Sequence, residues 1–129
     1  MKQDVIWGLC TLAQIENEQI LLMCSRALCC LSEKFAKDFL TSVAATIVVK
    51  LINMDQDAEK MKLGAIILTN MLMVSTSDHE SFRRVAVQNM QKLVLSKASH
   101  RNLCVHICCY QLNAVSPYHT NLCSILYTL

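Results

Sequence analysis

The sequence predicts an all-α fold, and three features of its composition support this prediction. The chain has 129 residues, of which 2 are Gly and 1 is Pro, whereas an average globular protein contains roughly 7% Gly and 5% Pro. Folds built from strands and tight hairpins place these residues at their turns, so the composition argues against a β-sandwich or β-barrel. Hydrophobic residues make up 53% of the chain, which argues against intrinsic disorder because disordered chains are poor in them.

The first two predicted helices cover residues 5–15 and 17–32. The first is almost wholly apolar, and Gly8 within it is a mild weakness. In the second, apolar residues recur at the spacing of one helix face. The polar residues Ser32 and Glu33 then end this pattern, so we expect the helix to stop there.

The next two predicted helices cover residues 37–53 and 57–74. The first of these is rich in β-branched residues, but an apolar-rich run of 17 residues is too long for one ordinary strand. The second begins with acidic residues, which suit the positive end of a helix dipole. Asp55 or Gln56 is expected as its N-cap.

The last two predicted helices cover residues 78–97 and 100–115. Ser77 is the expected N-cap of the first, and Glu80 follows three residues later as in a capping box. Pro117 ends the second, because proline cannot continue a helix.

Two helix types alternate along the chain with a period of about 40 residues. Residues 38–54 align with residues 80–96 at an offset of 42, and residues 23–31 align with residues 63–71 at an offset of 40. Repetition of two helix types in a fixed order is typical of helical-repeat proteins. It predicts a right-handed α-solenoid of about three units, and a helical bundle without repeats is the alternative.

Short motifs recur within these helices. ALCCLS at 27–32 and ILTNM at 67–71 look like an Ala-Leu-x-Asn-Leu core signature, and VVKLI at 48–52 and MQKLV at 90–94 end in the same apolar pattern. These motifs resemble armadillo repeats, whose units of roughly 40 residues have a short first helix and two longer ones; HEAT repeats are the neighbouring possibility. The resemblance implies one armadillo-like domain over 1–129, with a repeat-like core at 17–115 and an atypical segment at 116–129.

The sequence departs from the armadillo pattern at two points. The Gly that usually precedes the third helix is missing from residues 34–39 and 77–82. The spaced Trp and Asn of the family's nuclear-import receptors have no counterparts at matching positions in residues 42–53 and 84–96. The resemblance therefore does not extend to recognition of import signals.

A polar stripe runs along each of the two segments that resemble third helices. The members of each stripe are three or four residues apart, which places them on one helix face. The stripes consist of Ser42, Thr46, Lys50 and Asn53 in the first segment, and of Arg84, Gln88, Lys92 and Ser96 in the second. The resemblance implies that this face lines a groove for an extended peptide, and its cations would attract an acidic partner. The alternative is a helix face that only contacts solvent.

The expected function is therefore that of a non-enzymatic scaffold or adaptor for protein–protein interaction. The sequence has no Gly-rich phosphate loop, nucleophile elbow or His-Glu-x-x-His motif, so we expect no catalytic residues and no cofactor. His100, Cys104 and Cys108 share a helix face, but the outer two are about 12 Å apart along the axis, too far to bind one metal ion. A net charge of +2 does not predict a nucleic-acid partner.

Eight cysteines are expected to be buried free thiols in a cytoplasmic or nuclear protein. The N-terminus lacks a signal-peptide pattern, and no apolar run approaches the length of a membrane span. Both ends of the chain, at residues 5–12 and 116–129, are apolar. The alternative function is accordingly structural: a fragment or truncated form of a longer helical-repeat protein that assembles through these ends.

Overall fold

The structure is a computed structural model that describes residues 2–54 and 57–95, with side chains as far as residue 89. Within these residues the chain forms helices and turns but no strand, which confirms the all-α prediction for this part. The helices are α1 (Lys2–Ala13), α2 (Glu18–Leu40), α3 (Ala44–Ile52), α4 (Ala58–Val74) and α5 (Glu80–Leu95), with a 3-10 turn at Ser77–His79 before α5. The predicted helix at 100–115 and the segment at 116–129 lie outside the described residues.

The helix α2 continues past the end that the sequence predicted for it. Asn17 caps its start by accepting the backbone N–H groups of Gln19 and Ile20. At the predicted end, Ser32 is buried and donates its hydroxyl proton to Cys29 O at 2.7 Å, so this polar residue is satisfied inside the helix. A kink with non-helical torsion angles at Phe35 follows, and the helix then runs on to Leu40.

The helix α3 is shorter than the predicted segment at 37–53. Its first four predicted residues belong to the end of α2, and a turn at residues 41–43 separates the two helices. Ser42 holds this turn, because its hydroxyl donates to Phe39 O at 2.8 Å and accepts the Ala44 N–H at 3.1 Å. A serine side chain that bonds to the local backbone competes with helix continuation.

Both remaining N-caps differ from the predicted ones by one or two residues. Asp57 caps α4, since its Oδ1 atom accepts the Lys60 N–H at 3.1 Å. Thr76 precedes the 3-10 turn, where its hydroxyl accepts the Asp78 N–H and the His79 Nδ1 atom accepts the Thr76 N–H. Several capping residues stand side by side in each stretch, so the sequence alone did not select among them.

The helices contact their second neighbours along the chain as well as their first. The helix α2 packs most extensively on α4 and α1, and α3 packs on α4. In addition, α1 contacts α3, and α3 contacts α5. The largest side chains buried between them are Phe39, Lys60, Ile6, Leu28, Ile47, Leu51, Met61, Ile67 and Met71. None of the described helices is long and apolar enough to cross a membrane.

A glycine and a buried hydrogen bond lie at the contacts of α4 with α3 and α2. At Gly64, a Cβ atom would lie 2.8 Å from Leu51 Cβ and 3.2 Å from the backbone nitrogen of Ile52, so α4 approaches α3 over a residue without a side chain. Near the C-terminal end of α4, the buried Asn70 donates from Nδ2 to Ser32 Oγ on α2 at 3.0 Å. This bond satisfies two polar groups at the α2–α4 contact.

The cysteines are partly as expected. Cys10, Cys24 and Cys29 are buried free thiols, whereas Cys30 is exposed on α2. Burial raises the pKa of the Cys10 and Cys29 thiols to about 11, so both are protonated at neutral pH. The prediction of buried thiols is thus confirmed for three of the described cysteines and wrong for Cys30.

Candidate functional site

The polar stripe on α3 is exposed except at its first predicted member. Thr46, Lys50 and Asn53 are all exposed, at spacings of four and three residues. Ser42 is half-buried in the turn before the helix, and both functions of its hydroxyl are used there. The stripe therefore begins at Thr46.

The corresponding polar stripe on α5 has four predicted members, and the structure describes the side chains of two of them. Arg84 and Gln88 are exposed, and Arg84 Nη2 pairs with Glu80 Oε1 at 3.2 Å one turn earlier. Because both side chains of this pair are mostly exposed, it contributes only a few tenths of a kcal/mol and leaves the guanidinium accessible. The side chain of Lys92, and Ser96 as a whole, lie outside the described residues.

The helix α5 contacts the first stripe at the C-terminal end of α3. Asn53 donates from Nδ2 to Val49 O at 2.8 Å and, at the limiting distance of 3.5 Å, to Asn89 Oδ1 on α5. Asn89 in turn donates to Val85 O at 2.8 Å and is buried. Gln88 precedes Asn89 and points about 100° away from it around α5, so this contact fixes the packing of α5 on α3 while the Gln88 amide stays exposed. The sequence indicated Asn53 but not Asn89, because the pair does not follow the 42-residue offset.

A cavity of about 330 Å³ opens beside Lys50. It lies between the end of α3, the start of α2 and the turn that joins α1 to α2. Its lining residues are Ile15, Glu16, Asn17, Glu18, Leu21, Lys50 and Met54. This volume lies at the lower end of the range of ligand pockets and is large enough for one or two apolar side chains.

The charged side chains that line the cavity differ in whether another charged group pairs with them. The Lys50 ammonium and the Glu16 carboxylate make no ion pair or hydrogen bond within residues 2–54 and 57–89, so both can meet a ligand. Glu18 is already engaged, because the buried Lys60 ammonium lies 2.9 Å from its Oε2 atom and 3.1 Å from Asp57 Oδ2. Among the described residues, the cavity thus has an unpaired cation on the α3 side and an unpaired anion on the side of the turn.

The ion cluster behind the cavity shifts the pKa values of its members. The pKa of Lys60 is raised, chiefly by its hydrogen bond to Glu18 and against the opposing effect of burial. The pKa of Asp57 is lowered, first by the backbone N–H of Lys60 that it caps and then by the Lys60 side chain. Both groups are charged at neutral pH, and the cluster links the first turns of α2 and α4 under the cavity.

The sequence missed the cavity because it depends on a tertiary contact. Lys50 was indicated by its place in the stripe, but Glu16, Leu21 and Met54 belong to different segments that only folding brings together. No local motif marks such a set. Among the described residues no group of three His, Cys, Asp or Glu side chains is arranged to hold a metal ion, and the candidate cluster at 100–109 lies outside those residues.

Comparison of the chain with family models, with curated proteins and with solved structures gave no match. The armadillo resemblance therefore depends on the sequence motifs alone. The structure defines the chain, over the described residues, as an all-α protein with an exposed polar helix face beside a cavity.

Proposed function

We propose that this chain is a non-enzymatic scaffold that binds an extended segment of a partner protein along α3 and α5. The observation that carries the proposal is the position of Lys50, which belongs to the exposed stripe and also lines the cavity. A segment lying on the stripe can therefore place one of its side chains in the cavity.

The contacts between second neighbours support an armadillo-like solenoid as the architecture. In such a solenoid each unit stacks on the previous one, so equivalent helices contact each other along the array. The helices α1, α3 and α5 follow this rule, and so do α2 and α4. We accordingly propose two layers of helices in a right-handed array. Separately, the absence of a signal-peptide pattern at residues 1–4 leads us to propose a cytoplasmic or nuclear location.

The side chains of the stripe suit the backbone of an extended segment. Such a segment has unpaired N–H and C=O groups, and the exposed Gln88 amide can donate to one and accept from the other. Asn53 can accept through Oδ1, because its Nδ2 atom already donates to Val49 O and Asn89 Oδ1. The hydroxyl of Thr46 can donate and accept about two turns earlier on α3. These contacts are independent of the partner's sequence, so they position the segment without selecting it.

Selection is proposed to come from the cavity and its charges. Ile15, Leu21 and Met54 provide apolar surface for one side chain of the partner. The free Lys50 ammonium favours an acidic residue next to that side chain, on the α3 side. Glu16 disfavours an acid on the opposite side and thereby orients the segment. The partner is thus expected to contain an apolar residue with an acidic neighbour.

A charge reversal at Lys50 tests this proposal. The probes are short fluorescent peptides with a central Leu or Phe and acidic neighbours, and a counter set has basic neighbours. Lys50→Glu is expected to weaken binding of the best acidic peptide about tenfold, or about 1.4 kcal/mol, without changing the melting curve. Lys34→Glu is the matched control, since Lys34 is also an exposed lysine but lies on α2. Equal binding by the folded Lys50→Glu variant, or equal loss in the control, would contradict the proposal.

A second candidate function is assembly through apolar surface. It is favoured by the concentration of exposed apolar side chains on α1, where Val5, Trp7 and Leu12 are all exposed. This role uses a different part of the molecule from the stripe, so the two functions can coexist.

A further inference from the structure

The two walls of the cavity carry charges of opposite sign. Lys50 lies on the wall formed by α3, whereas Glu16 and Glu18 lie on the wall formed by the turn before α2 and the first turn of that helix. Lys50 and Glu16 are exposed, and neither makes an ion pair or hydrogen bond within residues 2–54 and 57–89. The wall with the carboxylates therefore has room for a ligand of its own.

The ion cluster behind this second wall leaves the wall negative. The Lys60 ammonium is buried and lies 2.9 Å from Glu18 Oε2 and 3.1 Å from Asp57 Oδ2. One ammonium thus serves two carboxylates, and the three groups together keep one net negative charge. The Glu18 side chain is 82% exposed, so a ligand can still reach its carboxylate. Together with Glu16, the cluster gives this side of the cavity a negative potential, opposite to that of the α3 side.

An extended partner segment can reach both walls at once. Alternate side chains of such a segment point to the same side and are about 7 Å apart. When one apolar side chain enters the cavity, the residues two positions before and after it therefore face the two walls. An acidic side chain is complementary to the Lys50 wall, and a basic side chain is complementary to the Glu16 wall.

We infer that the partner segment is bipolar: an apolar residue fills the cavity, an acidic residue two positions to one side pairs with Lys50, and a basic residue two positions to the other side pairs with Glu16. This inference rests on the proposed function and names the charge pattern of its partner. Because both pairs are exposed to solvent, each adds little affinity. Their main effect is to disfavour segments with the same charge on both sides.

Three sets of fluorescent peptides test the inference. Each peptide has a central Leu, and the residues two positions away are both Asp (diacidic), both Arg (dibasic) or one of each (mixed). The mixed set includes both orders, so the direction in which the segment binds does not affect the comparison. In fluorescence anisotropy with the full wild-type chain, the better mixed peptide is expected to bind about fivefold more tightly than the diacidic or the dibasic peptide.

Charge reversals on the two walls should change this preference in opposite ways. Glu16→Lys cancels the negative charge of its wall, so it should abolish the advantage of the mixed peptide over the diacidic one, and Glu16→Gln should reduce that advantage. Lys50→Glu makes both walls negative, so the dibasic peptide should then bind most tightly. Glu33→Lys is the matched control, because Glu33 is also an exposed glutamate but lies on α2 outside the cavity. Circular dichroism and the melting temperature check that each variant is folded.

The outcomes separate this inference from the proposed function. A diacidic peptide that binds the wild type as tightly as the mixed one, and is weakened by Lys50→Glu, overturns the bipolar pattern but not the binding site. A mixed-peptide advantage that Glu16→Lys leaves intact, or that Glu33→Lys also removes, overturns the inference as well. If none of the peptides binds the folded wild-type chain at millimolar concentration, the inference and the proposed function are both overturned.

Discussion

Asp57 has two roles that one substitution can separate. Its carboxylate caps α4 and also pairs with the buried Lys60. Asparagine is as good an N-cap as aspartate, so Asp57→Asn keeps the cap and removes the charge. The difference in stability between wild type and variant then reports the negative charge, through its bond to the first turn of α4 and its ion pair with Lys60.

We predict that this difference depends on pH. The pKa of Asp57 in the folded protein lies below its ordinary value of 3.8, so folding favours the ionised form. The stabilisation is fully present above pH 3.8 and is lost as the pH falls through the lowered pKa. Urea unfolding at a series of pH values should show wild type and Asp57→Asn converging in acid. A gap that stays constant from neutral pH to below pH 3 would contradict this account of the cluster.

The two glycines are predicted to respond to the same substitution with opposite signs. Gly64→Ala places a methyl group 2.8 Å from Leu51 Cβ, and overpacking of this kind costs about 1–3 kcal/mol, which outweighs the gain in helix propensity. Gly8→Ala meets no neighbouring atom and should gain up to about 1 kcal/mol from helix propensity. Denaturant unfolding of the wild type and both variants at one protein concentration measures both changes. A stabilised Gly64→Ala variant would show that α3 and α4 do not approach as described.

At the scale of elements, the junction between α4 and α5 depends on Arg83. Its guanidinium donates from Nε to Ser75 Oγ at 2.9 Å and from Nη2 to Ser75 O at 2.8 Å. Ser75 is the buried C-cap of α4, so Arg83 satisfies a helix end that would otherwise lack a partner. Within the described part of the chain, the adjacent Arg84 makes its exposed pair with Glu80 and no other.

We therefore predict that two neighbouring arginines differ in their contribution to stability. Arg83→Ala should lower the free energy of unfolding by about 2 kcal/mol, because hydrogen bonds of a charged donor to a partly buried acceptor are lost. Arg84→Ala should lower it by about 0.3 kcal/mol, as expected for an exposed pair within one helix. Urea unfolding of both variants gives the comparison. Equal losses would contradict the role assigned to Arg83.

The sequence predicted the helices better than their ends. The five described helices correspond to the first five predicted ones: apolar periodicity indicates 17–32, the length of an apolar run indicates 37–53, and acidic or capping residues mark the starts of the next two. Their ends depend on which of several neighbouring polar residues makes a bond. Ser32, predicted to end a helix, is satisfied by Cys29 O within α2, whereas Ser42, expected on a helix face, holds the turn before α3. The choice between these outcomes is made by tertiary burial, which a local pattern does not contain.

At the scale of the whole molecule, the candidate site consists of the exposed stripe on α3, which follows from sequence spacing, and the cavity, which forms only when the chain folds. The exposed positions of Thr46, Lys50 and Asn53 follow from their spacing on α3, so the sequence indicated them. The cavity requires the turn at residues 15–17 to lie against the end of α3, and its lining comes from two separate stretches of the chain, residues 15–21 and 50–54. Only the packing of α1, α2 and α3 on each other defines that arrangement.

The central claim is that a partner segment binds beside Lys50 with an apolar side chain in the cavity. Methyl NMR of the selectively labelled chain tests it most directly during titration with the best acidic-apolar peptide. Saturable shifts are expected for the methyl signals of Met54 and Ile15, which line the cavity, and no shift is expected for Met23, which is 69% exposed on α2 and outside it. The shifts should be lost in Lys50→Glu and kept in Lys34→Glu. Unchanged Met54 and Ile15 signals at saturating peptide, or shifts that Lys50→Glu leaves intact, would contradict the claim.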